Sequence, residues 1–217
     1  MKGKLICIIG PDGTGKTTQA NLLVDYLRQQ GTDCGYKWLR FHHFFSLPVL
    51  AVARLMGLSR VETLESGKKI GYHEFHRSRL FSTVYPYVLF IDTLLFMTLK
   101  VTIPIKLFGK TIVCDRFIYD TLVDLMISTK NSDILYSGVA RRYVAIIPKN
   151  CLVMAFSGDE ETLRSRREDI QYDKVLPQKI HYYDLICDAF SIPTIDASLP
   201  IRTVEQSVRN YVLERRD

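Results

Sequence analysis

Short runs of apolar residues alternate along this chain with longer stretches in which apolar residues recur every three or four positions. The runs predict buried strands, and the longer stretches predict amphipathic helices. We expect strands at 5–9, 34–39, 111–115, 151–156 and 193–196. We expect helices at 18–27, 47–57, 73–108 with a break near Tyr85-Pro86, 118–128, from 159 onward and 201–215, and a polar loop at 59–72. Strands that alternate with helices predict an α/β fold with a parallel sheet covered on both faces.

The composition fits one domain with one core, because 47% of the 217 residues are hydrophobic. We therefore expect a single domain over residues 1–217. Five cysteines without a C-x-x-C pair indicate small buried side chains in a reducing compartment. The first strand follows Met1 too closely to leave room for a signal peptide, so the protein is expected to be cytoplasmic.

The net charge of +6 comes mostly from basic residues scattered along the chain. Small polyphosphate ligands explain this balance as well as nucleic acid does, and we expect no nucleic acid partner. Residues 84–108 are strongly apolar, but Asp92, Lys100, Pro104 and Lys106 interrupt them. Because a span of the bilayer needs ~20 apolar residues, the stretch predicts a long buried helix and no membrane partner.

A glycine-rich segment, GPDGTGKT at residues 10–17, fits the phosphate-binding pattern G-x-x-x-x-G-K-[ST] and lies between a predicted strand and a predicted helix. Its glycines let successive backbone N–H groups converge on one anion. Lys16 is expected to reach the β- and γ-phosphates of ATP, and the Thr17 hydroxyl to ligate Mg²⁺. The alternative is a glycine-rich turn into an ordinary helix. The candidate cofactor-binding residues are Gly10, Pro11, Asp12, Gly13, Thr14, Gly15, Lys16, Thr17 and Thr18.

Polar residues at strand ends form a second group of candidates, because ligands bind beyond the carboxyl ends of parallel strands. Arg40 follows the second predicted strand, and Asp115 and Arg116 end the third. Asp115 could hold Mg²⁺ or its water, or receive a proton from an attacking oxygen. Arg116 could bind a second phosphate through two parallel hydrogen bonds. The alternative is a surface ion pair between Asp115 and Arg116.

A third group of basic residues follows the fourth predicted strand. Arg164 and Arg167 lie three residues apart and share a helix face, while Arg166 lies on a neighbouring flank. Such a charged stretch suits a lid, here about 164–176, whose arginines neutralise charge on a migrating phosphoryl group. The alternative is a solvated helix paired with Glu160, Glu161 and Glu168.

Three segments together resemble the thymidylate kinases (dTMP kinases), a family of P-loop nucleoside monophosphate kinases. These segments are GPDGTGKTTQ at 10–19, GKTIVCDRF at 109–117 and IDAS at 195–198, and the resemblance covers nearly the whole chain. It implies a P-loop NTPase fold, a three-layer α/β/α sandwich with a five-stranded parallel sheet and a short lid. It also implies ATP and Mg²⁺ as cofactors, dTMP as the default acceptor, and a homodimer packed through apolar helices, with a monomer as the alternative.

The resemblance also implies a role for each matching residue. Asp12 would contact the sugar hydroxyl of the acceptor, Arg116 would bind its phosphate, and Asp115 would organise Mg²⁺ or water near the transfer site. Because Gly13 occupies the position where some members carry an arginine, catalysis would fall to the lid arginines. The implied catalytic residues are Lys16, Asp115, Arg116, Arg164 and Arg167.

The chain departs from the family where the base of the acceptor is bound. In thymidylate kinases a phenylalanine and, four residues later, an arginine hold the thymine; here Phe90 matches, but Leu94 replaces the arginine. The candidate substrate-binding residues are Asp12, Arg40, Phe90 and Arg116. A different nucleotide or a phosphorylated small molecule is the alternative acceptor. A nucleotide-dependent switch is the alternative class of protein, although no N-K-x-D segment for reading guanine is present.

Overall fold

The computed structural model describes residues 3–40, 43–63 and 69–215. Its centre is a sheet of five parallel strands, β1 (Leu5–Ile9), β2 (Cys34–Trp38), β5 (Thr111–Asp115), β6 (Cys151–Ser157) and β7 (Thr194–Asp196). They lie in the order β2-β5-β1-β6-β7. An antiparallel hairpin, β3 (Ser59–Thr63) and β4 (Lys69–His73), lies outside this sheet. The predicted α/β fold with a five-stranded parallel sheet is confirmed.

Helices connect the strands and cover the sheet. They are α1 (Lys16–Gln29), α2 (Ser46–Leu55), α3 (Arg79–Met97), α4 (Ile103–Phe108), α5 (Ile118–Thr129), α6 (Gly138–Ala145), α7 (Glu160–Arg166), α8 (Glu168–Gln171), α9 (Leu176–Phe190) and α10 (Ile201–Leu213). A π-helical turn, Thr98–Thr102, joins α3 to α4, and single 3₁₀ turns lie at Phe75–Arg77 and Ser132–Tyr136.

The central strand β1 is apolar at every position because helices cover both faces of the sheet. Ile6 and Ile8 pack on the layer that contains α1 and α10. Leu5, Cys7 and Ile9 pack on the opposite layer, which is larger and contains α3, α5, α6 and α9. The two clusters form the core, and the loop after β1 leaves the sheet between them.

Two sequence-based expectations about residues 59–108 are wrong. Residues 59–72 were expected to form a polar loop, but Ser59–Thr63 and Lys69–His73 pair as a hairpin; residues 64–68 lie outside the described part of the chain. The predicted helix begins at Arg79 and runs without a break through Pro86. The buried contacts of Tyr85 and Pro86 offset the helix-breaking tendency of the proline, which is about 3 kcal/mol.

A buried carboxylate of α3 forms hydrogen bonds with the start of α2. Asp92 of α3 accepts hydrogen bonds from the backbone N–H groups of Phe44, Phe45 and Ser46 and from the Ser46 hydroxyl, at 2.6–3.0 Å. Burial alone would raise the pKa of Asp92, but these hydrogen bonds more than offset it and hold the pKa below its ordinary value. Asp92 therefore caps the start of α2 and does not face solvent.

The long apolar helix is buried on one side only, which corrects the expectation of a fully buried helix. By length and composition, the stretch Arg79–Phe108 could cross a membrane: an 18-residue window within it has a mean hydropathy of 1.9, and 22% of that window is buried. Its inner side nevertheless packs Phe81, Tyr85 and Met97 into the core of the α/β domain. Its outer side exposes a series of large apolar side chains: Leu80, Val84, Tyr87, Ile91, Leu94, Leu95 and Leu99.

Candidate active site

The glycine-rich loop (residues 10–17) joins the carboxyl end of β1 to the first turn of α1. Gly10, Gly13 and Gly15 have φ values of +138°, +88° and +80°, a region that side chains with a Cβ rarely adopt. At Gly10 a Cβ would also collide with the backbone carbonyl of Phe156 on β6. The loop therefore requires glycine at these positions, and its path leads into the amino end of α1.

Lys16 is folded back into this loop. Its ammonium group donates to the Pro11 carbonyl at 2.5 Å and to the Thr14 hydroxyl at 3.3 Å, and the Thr14 hydroxyl donates to the same carbonyl at 2.9 Å. Burial, with a smaller contribution from Arg116, lowers the pKa of Lys16 to about 7. Because its partners in the loop are neutral oxygens, an anion at this position would stabilise the charged lysine.

Asp115, at the carboxyl end of β5, faces the first turn of α1. Its Oδ2 atom accepts hydrogen bonds from the Thr17 hydroxyl and, at 3.4 Å, from the Tyr36 hydroxyl. Its Oδ1 atom is buried and has no hydrogen-bond partner. A buried carboxylate oxygen without a donor beside a threonine hydroxyl suits a divalent cation or the water bound to it.

No group of three His, Cys, Asp or Glu side chains that could hold a metal ion occurs within residues 3–40, 43–63 and 69–215. Mg²⁺ does not require such a group, since it commonly takes one or two protein oxygens and completes its shell with phosphate and water. The Thr17 hydroxyl and the Asp115 carboxylate fit that requirement.

Arg116 is a buried cation held from four directions. Its guanidinium contacts the Asp12 carboxylate and donates to Asp120 at 3.1 Å, to the Gly10 carbonyl at 3.2 Å and to the Tyr183 hydroxyl at 3.1 Å. Burial alone would lower the pKa of Arg116, but Tyr183, Asp12 and Asp120 raise it, so the side chain stays charged. Its backbone has a φ of +72°, which turns the chain sharply away from β5.

Asp12 lies at the centre of four cations. It forms ion pairs with Arg116, with Lys179 at 3.5 Å and with Arg40 at 3.9 Å. Burial alone would raise the pKa of Asp12, but the charges of Arg116, Lys179, Lys16 and Arg40 lower it far below its usual range. The three cations that form ion pairs with Asp12, namely Arg116, Lys179 and Arg40, are called the Asp12 cluster below. They concentrate positive charge beside the glycine-rich loop.

Each member of the Asp12 cluster has a second carboxylate partner, and that of Arg116 is Asp120 at 3.1 Å. Arg40 binds Asp124 through two hydrogen bonds of 2.7 and 3.0 Å, and Lys179 binds Asp173 at 2.6 Å. The second carboxylates fix where the cations point. They also reduce the local net charge, so an incoming anion must share these cations with existing partners.

A cavity of about 500 Å³ opens beside the cluster, with Arg40 and Lys179 in its wall. It lies between the inner face of α3 and α5, and the hairpin β3–β4 covers it from outside. This space is called the α3–α5 cavity. Besides these two cations, its lining includes Tyr85, Leu89, Thr93, Phe96 and Met97 of α3, Ile118, Thr121, Asp124, Leu125, Ile127 and Ser128 of α5, and Tyr72, His73 and Glu74 at the end of the hairpin. Three further cations, Arg60, Lys130 and Lys174, also line it, as do His43, His76 and Gln178.

The structure does not bring Phe90 to this cavity. Phe90 packs edge-on against Tyr143 of α6, with ring centroids 5.2 Å apart, and Leu94 is 43% exposed on the outer side of α3. The pair with the same spacing that does line the cavity is Leu89 and Thr93, one residue earlier. Neither side chain is charged, so neither could take the place of the arginine expected at this spacing.

The three lid arginines have different partners. Arg164 donates to Glu160 and to the backbone carbonyls of Ile170, Gln171 and Asp173, at 2.6–3.2 Å, and so holds the chain after α7 in place. Arg167 pairs with Asp169 at 2.8 Å and is exposed. The geometry thus does not bring Arg164 or Arg167, the two arginines expected from the sequence, to the glycine-rich loop.

Arg166 reaches the loop instead. One guanidinium nitrogen lies 3.5 Å from the Gly13 carbonyl. The segment of α7 and α8 also touches Gly13 directly, since a Cβ there would lie 2.9 Å from Ile170 Cδ1 and 3.1 Å from the Leu163 carbonyl. The candidate lid therefore rests on the middle of the glycine-rich loop.

Some residues of the site carry no motif in the sequence. Lys179, Tyr183, Asp120 and Asp124 come from α9 and α5, and they enter the site only because these helices pack side by side. For α9 a signal was present, because Leu176, Ile180, Tyr183 and Cys187 recur at helical spacing.

The fold and site together define an α/β protein whose candidate site lies at the carboxyl ends of β1, β2 and β5, the usual place for ligands in open parallel sheets. No protein-family model matches the chain, and no curated protein matches it. The function is therefore inferred from the residues of the site.

The contact between Gly13 and the lid can be tested by adding one methyl group. In Gly31→Ala, where φ is also positive (+76°) but the surroundings are open, we expect only the backbone cost of roughly 1–2 kcal/mol in the free energy of unfolding. In Gly13→Ala we expect that cost together with displacement of Ile170, and hence faster tryptic cleavage after Arg164, Arg166 and Arg167. Urea denaturation and limited proteolysis measure the two effects. Equal cleavage rates in the two variants would contradict a lid that rests on Gly13.

Proposed function

We propose that this protein is a P-loop kinase that moves the γ-phosphoryl group of ATP, with Mg²⁺, to the phosphate of a small phosphate monoester. Within that class it is proposed to be similar to the thymidylate kinases, with a nucleoside monophosphate, dTMP by default, as the acceptor and a diphosphate as the product. The observation that carries the proposal is the Asp12 cluster, because it sets a second group of phosphate-binding cations directly beside the loop of Lys16.

The donor side of the proposal rests on the glycine-rich loop. Its backbone N–H groups and the amino end of α1 would bind the phosphates of ATP, and Lys16 would turn from the Pro11 carbonyl to the β- and γ-phosphates. Thr17 and Asp115 would hold Mg²⁺, which supplies positive charge to the β- and γ-phosphate oxygens. No protein group has to form a covalent bond in this chemistry.

The acceptor side rests on Arg116 and Arg40. A phosphate monoester has a second pKa of about 6, so its attacking oxygen is already ionised at neutral pH and needs no general base. The main obstacle is repulsion between two anions, which buried cations between them reduce. Arg116 would meet this requirement, since Asp12 and Asp120 hold it rigidly beside the loop, one residue before Phe117, which lines the α3–α5 cavity.

A nucleotide-dependent switch would use the same loop but would need no second phosphate-binding group. The two classes differ in whether ADP formation requires a second substrate. We expect ADP to form from ATP and Mg²⁺ at a rate that depends on an added phosphate monoester. ADP formation at the same rate without an acceptor would contradict the kinase proposal.

The role of Lys16 is tested in the same assay. Lys16→Ala is expected to abolish transfer and to weaken ATP binding, because the γ-phosphate loses its positive partner. Lys149→Ala, which removes an exposed lysine away from the site, is the matched control and should leave both unchanged. ATP binding by calorimetry and ADP release measure the outcome. Normal turnover of Lys16→Ala would refute the donor site.

The lid arginines offer a sharper test of mechanism. We expect Arg166→Ala to lower kcat by about 10³-fold, the scale of an arginine that neutralises charge in phosphoryl transfer, and Arg167→Ala to change it little. Both variants remove one exposed guanidinium from the same segment, so each is a control for the other. A large loss of kcat in Arg167→Ala together with full activity of Arg166→Ala would support the assignment expected from the sequence instead.

We also propose that the outer face of α3 forms a homodimer. Leu80, Val84, Tyr87, Ile91 and Leu94 follow one another at spacings of four and three residues, as in paired helices.

Sedimentation of the purified protein tests this dimer. Ile91→Glu is expected to yield a monomer, because it introduces a charge in the middle of the apolar series. Leu199→Glu, at an exposed leucine elsewhere, should leave the dimer intact. A wild-type protein that sediments as a monomer at micromolar concentration would contradict the proposed interface.

A further inference from the structure

The α3–α5 cavity continues well past the cations at its mouth. Its α5 wall runs from Ile118 to Ser128, and these ten steps of 1.5 Å along one helix span about 15 Å. The Arg40–Asp124 ion pair lies in the middle of that wall, so the cavity extends further along α5 beyond this pair, as far as Lys130 at the end of the helix. Voids of this size are not left in closely packed cores, which indicates a space built for a ligand.

Between this ion pair and Lys130, the walls that α3 and α5 contribute to the cavity are mainly apolar. Phe96 and Met97 line it from α3, and Leu125 and Ile127 line it from α5. Two hydroxyl groups lie on these walls, but each already donates to a carbonyl of its own helix: Thr93 to Leu89 at 2.8 Å and Ser128 to Leu125 at 3.1 Å.

These walls do not suit a nucleobase. The polar edge of a base that is buried against side chains without matching donors and acceptors would lose its hydrogen bonds to water, at a cost of about 1–3 kcal/mol for each group. None of the five α3 side chains that line the cavity is charged. An acyclic hydrocarbon chain has no such requirement and gains from burial of every carbon.

We infer that the acceptor is a phosphate monoester of a long hydrocarbon chain, with its phosphate at Arg116 and its chain along the α3–α5 cavity. This inference rests on the kinase proposal and names its substrate class. In the reaction an acceptor phosphate oxygen forms a bond to the γ-phosphorus, the bond from that phosphorus to the β–γ bridging oxygen breaks, and its electron pair leaves with ADP. The products are ADP and the diphosphate ester of the same chain.

A series of acceptors of different length tests the inference through ADP release. Dimethylallyl, geranyl and farnesyl monophosphates provide chains of increasing length, n-decyl phosphate is the straight counterpart of the geranyl compound, and dTMP is the nucleotide. All are used below their aggregation limits. We expect kcat/KM to rise by at least about tenfold from the dimethylallyl to the geranyl compound, since each buried methylene contributes about 0.8 kcal/mol. The geranyl and decyl compounds then distinguish a branched from a straight chain.

A substitution in the wall of the α3–α5 cavity tests whether this cavity determines the preference for acceptor chain length. Thr93→Trp fills the cavity partway along α3 and should remove the gain from longer chains while leaving the dimethylallyl compound nearly unchanged. Thr83→Trp makes the same change on the same helix at an exposed position outside the cavity and should leave the whole series unchanged. Equal behaviour of the two variants, or rates that do not depend on chain length, would overturn the inference.

The outcomes also separate this inference from the kinase proposal. If dTMP is the best acceptor, the inference fails and the kinase proposal stands. If no acceptor stimulates ADP release, the kinase proposal fails. Calorimetry with geranyl and farnesyl monophosphates then still tests whether the cavity binds a hydrocarbon chain. Tighter binding of the longer chain that is lost in Thr93→Trp supports a hydrocarbon site, and absence of binding overturns it.

Discussion

The buried positive charge of Arg116 is the constraint on which the candidate site depends. A guanidinium at 6% exposure is stable only beside carboxylates, and two parts of the chain provide them: Asp12 from the glycine-rich loop and Asp120 from α5. The Tyr183 hydroxyl from α9 bonds both Arg116 and Asp120. Because removing one partner of such a buried pair costs about 3–5 kcal/mol, the charge also fixes how the loop and these helices lie against β5.

The same charges support the proposal that two anions bind side by side at this site. Lys16 is held by neutral oxygens within the loop, whereas the cations on the other side of Asp12 are held by carboxylates. Two differently balanced groups of cations thus lie next to each other at one edge of the sheet. An arrangement of this kind lowers the repulsion between a donor and an acceptor phosphate, which is the main requirement of phosphoryl transfer.

Much of this architecture could be predicted from the chain. The five parallel strands followed from apolar runs, and the loop, Asp115 and Arg116 followed from short motifs, because local sequence determines a glycine turn and a strand end. What failed depended on contacts between distant segments. The hairpin at Ser59–Thr63 and Lys69–His73 has no strong alternation of polar and apolar residues, and the helix across Pro86 persists because its neighbours are buried.

The sequence also could not predict the directions in which the side chains of the site point. On α3, Phe90 packs against Tyr143, whereas Leu89 and Thr93, which begin one residue earlier, line the cavity. The choice among the lid arginines likewise depends on the path of the chain after α7, since Arg164 is occupied by carbonyls of residues 170–173. Lys179 had no motif at all and enters the site through the packing of α9 against α5.

Transfer of the γ-phosphoryl group to another phosphate is the step that most directly distinguishes the proposed kinase from a hydrolase. Phosphorus NMR of the protein with ATP, Mg²⁺ and an acceptor monophosphate, run in parallel with dTMP and with geranyl monophosphate, follows that group directly. For a kinase we expect paired, mutually coupled signals of a new diphosphate that grow together with ADP in at least one of the two samples. Growth of inorganic phosphate alone, at a rate that neither acceptor changes, would contradict the kinase proposal.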